Sequence, residues 1–200
     1  VIGGNSYEST GSVLDLTSKG IGASQVNELA SALSRLTSLT LDSNSIFGEL
    51  RNDGSVKTAD KFATQCEPFF AALKKSQIAM LSLKSSGMGP VACGKLATSL
   101  SAAVTSLTIS KNKIGSEGGT ALVEAIKSSN LQTIDIGKPL LIRDKHDSDV
   151  LDLSKQDLDP GQVVILAWWL TTPASAALNS LTLDSTGNLQ GQKPYTLTAG

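Results

Sequence analysis

The chain has 200 residues, a formal net charge of −1 and a sequence pI of about 5.8. This charge does not suggest binding to nucleic acid or to an anionic membrane surface, which needs a basic patch, and no apolar run reaches the roughly 18 residues that span a bilayer. Hydrophobic residues make up 40% of the chain, which argues against a disordered polypeptide. We therefore expect a folded protein that binds neither nucleic acid nor membrane.

Seven short segments with the pattern apolar–x–apolar follow one another along the chain. Alternation with a period of two is typical of a strand with one buried face. Three of the six intervals between segments are 25–27 residues, a spacing that fits a helix-bearing repeat. The predicted strands are therefore centred on residues 14–16, 39–41, 81–83, 107–109, 134–136, 151–153 and 181–183.

A helix is predicted after five of these strands. In each interval, mostly apolar residues occur three and then four positions apart, which places them on one face of a helix. The five predicted buried sets are Val26, Leu29 and Leu33; Cys66, Phe69 and Leu73; Cys93, Leu96 and Leu100; Gly119, Leu122 and Ile126; and Val163, Leu166 and Leu170.

The run LTISKNKIGSEGGTAL, from Leu107 to Leu122, resembles the long, helix-bearing leucine-rich repeat of the ribonuclease-inhibitor class. The resemblance covers about residues 13–185. It implies a single α/β leucine-rich-repeat domain over residues 1–200. This would be a horseshoe segment of a solenoid, with a parallel β-sheet on the concave face and helices on the convex face.

The chain departs from the pattern of this family in several places. The family's turn asparagine occurs only at Asn44 and Asn112. Residues 47–61 form a polar insertion, which we expect to be a loop or an extended approach to the second helix. Residues 137–149 leave no room for a helix in the fifth unit. After the seventh strand no polar cap is evident, so we expect uncapped ends through which copies of the chain could self-associate.

The concave strand face is the first candidate binding surface. The side chains between and beside the apolar pairs point outward and are small, hydroxylated and mildly acidic. Two interpretations remain open, a docking surface for a basic or sugar-like partner and a plain solvated sheet. The candidate partner-binding residues on this face are Asp15, Asp42, Lys84, Asp135, Asp152 and Asp184.

The helix of the sixth unit is the second candidate surface. With Val163, Leu166 and Leu170 on its buried face, Val164, Ile165, Trp168 and Trp169 fall on the other sides. A helix that is apolar all round is buried or lies at an interface. These four residues are therefore candidate partner-binding residues of the convex face. Alternatively, the segment 139–142 and the tail around Tyr195 fold over the tryptophans.

No residue pattern points to catalysis, a cofactor or a metal. Cys66 and Cys93 fall at the same position of adjacent helices, which pack roughly 8–10 Å apart, too far for a disulfide. We expect two buried free thiols. His146 lies near Asp147 and Asp149, but without the spacing of a cation loop a solvated turn is the simpler interpretation.

We therefore expect a protein–protein interaction module or scaffold without catalysis of its own. The alternative is a structural subunit of a larger self-associating assembly. A third hypothesis, regulation of a small GTPase, is implied by the resemblance, because GTPase activators occur in this repeat class. The free thiols and the absence of an Asn-x-Ser/Thr acceptor favour a reducing, cytoplasmic location.

Overall fold

The computed structural model describes residues 2, 4 and 7–183 and the backbone of 195–198. It is a mixed α/β structure with a mostly parallel sheet and helices. The strands are β1 (Val13–Asp15), β2 (Ser38–Thr40), β3 (Glu49–Leu50), β4 (Val56–Thr58), β5 (Met80–Ser82), β6 (Ser106–Thr108), β7 (Thr133–Asp135), β8 (Pro139–Leu141), β9 (Val150–Asp152), β10 (Ser180–Leu183) and β11 (Tyr195–Thr198).

Five α-helices connect the strands of the described region. They are α1 (Ala23–Glu28), α2 (Glu67–Leu73), α3 (Pro90–Ser99), α4 (Gly115–Ser128) and α5 (Pro160–Leu170). Four of the five predicted helical faces are buried as expected, apart from a partly buried Leu100, and α5 differs. No described helix is long and apolar enough to cross a membrane.

The main sheet runs in chain order. Strands β1, β2, β5, β6 and β7 lie side by side and each is parallel to the next. Their middle residues align across the sheet and are buried, while most flanking residues stay partly or fully exposed. This alternation is the physical basis of the apolar–x–apolar pattern. The aligned residues are Leu14, Leu39, Leu81, Leu107 and Ile134.

The chain leaves five of the parallel strands through turns that share a backbone conformation. In each turn a residue other than glycine has a φ between 49° and 59°. This left-handed conformation costs an L-residue about 1–2 kcal/mol, so the surrounding structure must hold it in place. The residues are Ser18, Ser43, Ser85, Lys111 and Lys155.

Two buried asparagines tie neighbouring turns together. The Asn44 amide donates to the carbonyls of Leu16, Leu41 and Asp42 at 2.8–3.1 Å, and its oxygen accepts from the Ile21 N–H. Asn112 makes the corresponding bonds between the turns that follow β5 and β6. Each asparagine thus satisfies backbone groups that strand pairing leaves without a partner.

The expected single parallel sheet is interrupted after β7. A tight turn at Gly137 (φ 141°) reverses the chain, and β8 pairs antiparallel with β7. Because β8 occupies the hydrogen-bonding edge of β7, β9 does not pair there and instead forms a separate sheet in the order β9, β10, β11. The prediction of one sheet running through all seven strands was therefore wrong at residues 137–149. As expected, these residues form no helix.

The helical layer remains close-packed across this break in the sheet. Helices α4 and α5 approach so closely that a Cβ on Gly119 would lie 2.3 Å from the Gly161 carbonyl oxygen. The buried Gln162 amide also reaches the Ile109 carbonyl beside β6, at 3.3 Å. Only glycine permits backbones to come this near. Helix α5 therefore packs directly against α4, although β7, β8 and β9 lie between the two helices in the sequence.

The insertion at 47–61 is not the polar loop or extended segment that we expected. Strands β3 and β4 form an antiparallel hairpin, and Phe47 at its base is fully buried and stacks on Phe70 with ring centroids 5.4 Å apart. Asp60 accepts hydrogen bonds from the N–H groups of Gly89, Val91 and Ala92 at 2.6–3.0 Å. The hairpin is thus anchored to the core and caps α3.

The C-terminal edge of the second sheet is also paired. Strand β11 runs antiparallel to β10, from Tyr195 opposite Leu183 to Thr198 opposite Ser180. This corrects the expectation of an uncapped sheet edge after the seventh strand. The side chains of β11 lie outside the described residues.

Candidate partner-binding surfaces

The outward face of the parallel strands is open. Its large exposed side chains are Val13, Met80 and Val150, at 45%, 53% and 50% of full exposure. Each immediately precedes the buried middle residue of its strand, so the alternation that predicted the strands could also have identified these three. The residues predicted from the sequence were instead the charged ones at the ends of the strands or just after them.

Two of the predicted acidic residues are exposed at strand ends. Asp15 accepts hydrogen bonds from the Thr17 N–H and hydroxyl at 2.9 and 2.6 Å, and Asp152 accepts from the Ser154 N–H at 2.8 Å. Hydrogen bonds from the side chains of Thr17 and Ser154 contribute most to lowering the pKa of these carboxyls below its ordinary value. Both groups are therefore ionised at neutral pH and present negative charge on this face.

Three further predicted residues of this face, Asp42, Lys84 and Asp135, are half-buried. Asp42 accepts from the Ser82 hydroxyl at 2.6 Å and from the Lys84 N–H at 3.0 Å, and Asp135 accepts from the Gly137 N–H at 2.7 Å. Both carboxylates thus accept hydrogen bonds from backbone N–H groups just beyond strand ends. The sequence did not predict this structural role. Asp184 lies outside the described residues.

Helix α5 is rotated relative to the prediction. Ile165 and Trp169 are fully buried, Val164 and Trp168 are half-buried, and Leu170 is 38% exposed. Asp159 and Gln162 form a capping box that sets where the helix begins. The buried face consequently includes Gln162, Ile165, Leu166 and Trp169, and it excludes Leu170.

The end of β8 and the loop after it cover Trp169, which agrees with the predicted cover by the segment 139–142; the side chains of the predicted tail around Tyr195 lie outside the described residues. The indole N–H donates to the Leu141 carbonyl at 2.7 Å, and the His146 ring packs edge-on with centroids 5.3 Å apart. Ile165 and Trp169 are therefore unavailable to a partner, which corrects their assignment as partner-binding residues. Trp168 and Val164 retain partly exposed surface.

Replacing the two tryptophans by phenylalanine should have unequal effects. We expect Trp169→Phe to lower the free energy of unfolding by about 1–3 kcal/mol, because it leaves the Leu141 carbonyl without its donor and creates a small cavity. Trp168→Phe, on a half-buried side chain, is the matched control, for which about 0.5 kcal/mol or less is expected. Urea denaturation followed by circular dichroism measures both. Equal losses would contradict the described burial.

Cys66 and Cys93 are buried free thiols, as predicted. Burial raises the pKa of the Cys66 thiol to about 11 and raises that of Cys93 still further. Both thiols thus stay protonated at neutral pH, so the nucleophilic thiolate is scarcely populated. Among the described residues, no three His, Cys, Asp or Glu side chains converge as a metal site would require.

A cleft lies between the hairpin and the turns that follow β6 and β9. Its volume is about 720 Å³, within the range of small-molecule sites. Arg51, Lys111, Lys113 and Lys155 line it together with the exposed Pro160 and the almost fully buried Val56 and Leu158. Sequence analysis missed this site because the hairpin and the two turns are far apart in the chain.

Comparison of the chain with known protein families gave no match, and comparison with curated proteins gave no significant match.

Proposed function

We propose that the chain is a leucine-rich-repeat solenoid that binds a protein partner through the outward face of its parallel strands. Three observations support the solenoid: aligned buried residues along β1, β2, β5, β6 and β7, a shared left-handed turn residue, and equivalent bonds from Asn44 and Asn112. Such a fold presents an extended surface on successive strands, where partners bind.

The exposure of Met80 carries the proposal of a binding face. Met80 lies on β5, the central strand of the five parallel ones, and is 53% exposed. Methionine is adaptable and polarisable, which suits an apolar anchor in a contact surface. Within the described residues, no side chain buries it.

The charged residues predicted for the outward strand face indicate the chemistry of the partner. The predicted residues of this face that the structure describes are four carboxylates and one lysine, Lys84. Hydrogen bonds keep Asp15 and Asp152 ionised, as their lowered pKa values show. Complementary charge speeds association and aids selection of the correct partner. We therefore assign the face to a partner with a basic segment that places an apolar side chain on Met80.

Affinity capture with charge variants tests the proposal. Met80→Asp places a charge in the centre of the face, and Val91→Asp does the same on helix α3, where Val91 is 51% exposed. Because both positions are exposed, each variant should fold. We expect a basic protein to be retained by the wild type and by Val91→Asp, and to be lost with Met80→Asp.

A complementary measurement guards against self-association. Light scattering over a range of concentrations should give the monomer mass for the wild type. A mass that rises with concentration and returns to that of the monomer in Met80→Asp would identify the partner as a second copy and favour the structural-subunit alternative. Retention of the same proteins by the wild type and by both variants would overturn the assignment of this face.

A further inference from the structure

The β3–β4 hairpin is held rigidly over the turns at one edge of the main sheet. The Phe47 N–H donates to the Ser86 carbonyl at 3.0 Å, and Gly48 packs against Gly87 so tightly that a Cβ on Gly48 would lie 2.6 Å from the Gly87 oxygen. From this base, residues 51–56 of the hairpin line a cleft together with the turns after β6 and β9. The resulting cleft is therefore a built feature of the fold.

Cations outnumber carboxylates in the lining of this cleft. Arg51, Lys111, Lys113 and Lys155 carry positive charge, against Asp53, Asp157 and Asp159. The formal charge of the lining is therefore positive, whereas that of the whole chain is −1. Such a local excess of cations attracts an anionic ligand.

Two of the three carboxylates already have hydrogen-bond donors within the protein. Asp53 accepts from the Ser55 N–H at 2.9 Å. Asp159 accepts from the N–H groups of Gly115 and Gln162 at 2.7 and 3.0 Å, joining the N-termini of α4 and α5. Burial raises the pKa of Asp159, while these donors and the charge of Lys113 oppose that rise.

The amines of Lys111 and Lys113 form no ion pair with the described residues. Neither lysine takes part in the ion pairs that Glu49, Glu67 and Glu124 form. Both side chains are exposed at the cleft. They can therefore donate hydrogen bonds to a ligand that enters it.

Lysine replaces serine at the turn positions that face the cleft. The left-handed residue after β1, β2 and β5 is serine, whereas after β6 and β9 it is Lys111 and Lys155. Among these five turns, only the two that line the cleft have a long cationic residue in the left-handed conformation. The left-handed conformation is common to all five turns, so what distinguishes these two is the cationic side chain that each carries into the cleft.

We propose that this cleft binds a small organic phosphate, whose phosphate group contacts Lys111 and Lys113 and whose apolar part lies against the exposed ring of Pro160. A phosphate offers three acceptor oxygens and up to two negative charges, which suits several amines at one site. This site is separate from the strand face that contains Met80.

An NMR titration tests the proposal with phenyl phosphate as the probe. We expect saturable shifts of the backbone amides of Gly54 and Lys111, weaker binding of inorganic phosphate and none of phenol. In the double variant Lys111→Ser/Lys113→Gln the dissociation constant for phenyl phosphate should rise at least about tenfold, because two charge-assisted contacts are lost. Serine is the residue that the equivalent turns already use at φ near 50°.

The matched control removes the same charge elsewhere. Lys74→Ser/Lys75→Gln alters two exposed lysines that follow α2, and the affinity for phenyl phosphate should stay within about twofold, because screening weakens distant charges. Absence of saturable binding, equal weakening in both double variants, or tighter binding of phenylacetate than of phenyl phosphate would overturn the proposal.

Discussion

Replacing Gly119 by alanine is expected to lower the free energy of unfolding by about 3 kcal/mol or more. The new Cβ would lie 2.3 Å from the Gly161 oxygen and 2.7 Å from the Gly161 Cα. Both atoms belong to the backbone of α5 and cannot rotate away, so the two helices would have to separate. Separation would also pull Gln162 away from the Ile109 carbonyl.

Gly94 in the middle of α3 provides the matched control. A Cβ at this position meets no heavy atom within 4 Å. Alanine restricts the unfolded chain more than glycine and favours the helix, so Gly94→Ala should raise the free energy of unfolding by about 0.5–1 kcal/mol. Urea denaturation of the two variants should therefore show shifts of opposite sign. A stabilising effect of Gly119→Ala would show that the helices are further apart than described.

Replacing Asn112 by alanine is the second large effect that we expect. The side chain donates to the carbonyls of Leu83, Ile109 and Ser110 and accepts from the N–H groups of Ser86 and Met88. Asn112 is 2% exposed, so alanine would leave several buried polar groups without partners. Each such group costs roughly 1–3 kcal/mol, and we expect a total loss of about 3 kcal/mol or more, less where water enters.

Two further asparagines make this prediction specific. Asn44→Ala should also be strongly destabilising, because Asn44 makes the corresponding bonds between the first two turns. Asn52→Ala alters an exposed residue at the hairpin tip and should change the free energy of unfolding by no more than about 0.5 kcal/mol. Similar losses for all three variants in thermal or urea denaturation would refute the structural role of the buried pair.

The local elements could be predicted from the sequence because each has its own periodic signal. Alternation located the seven strands, and spacings of three and four located four helical faces, including Gly119, Leu122 and Ile126. The two thiols were also predicted to be buried. These features depend on which face of a helix or strand meets the core, and the spacing of apolar residues along the sequence indicates that face.

The candidate sites were less predictable. Asp15 and Asp152 are exposed as expected, but Met80 was overlooked, although the alternation of β5 also places it on the outward face. The phase of α5 was mistaken because nearly every residue from Val163 to Leu170 is apolar, so that several faces fit the same spacing. Only the cap at Asp159 and the close packing on α4 select one face.

By itself the sequence determined a mixed α/β chain of alternating strands and helices, because burial of one face leaves a periodic trace. Tertiary structure alone decided that β8 would close the edge of β7, that the insertion would form a hairpin over the turns, and that Trp169 would be covered by the end of β8 and the loop after it. These outcomes depend on which backbone and side-chain groups pair with one another, and such hydrogen bonds leave no periodic pattern of apolar residues along the chain.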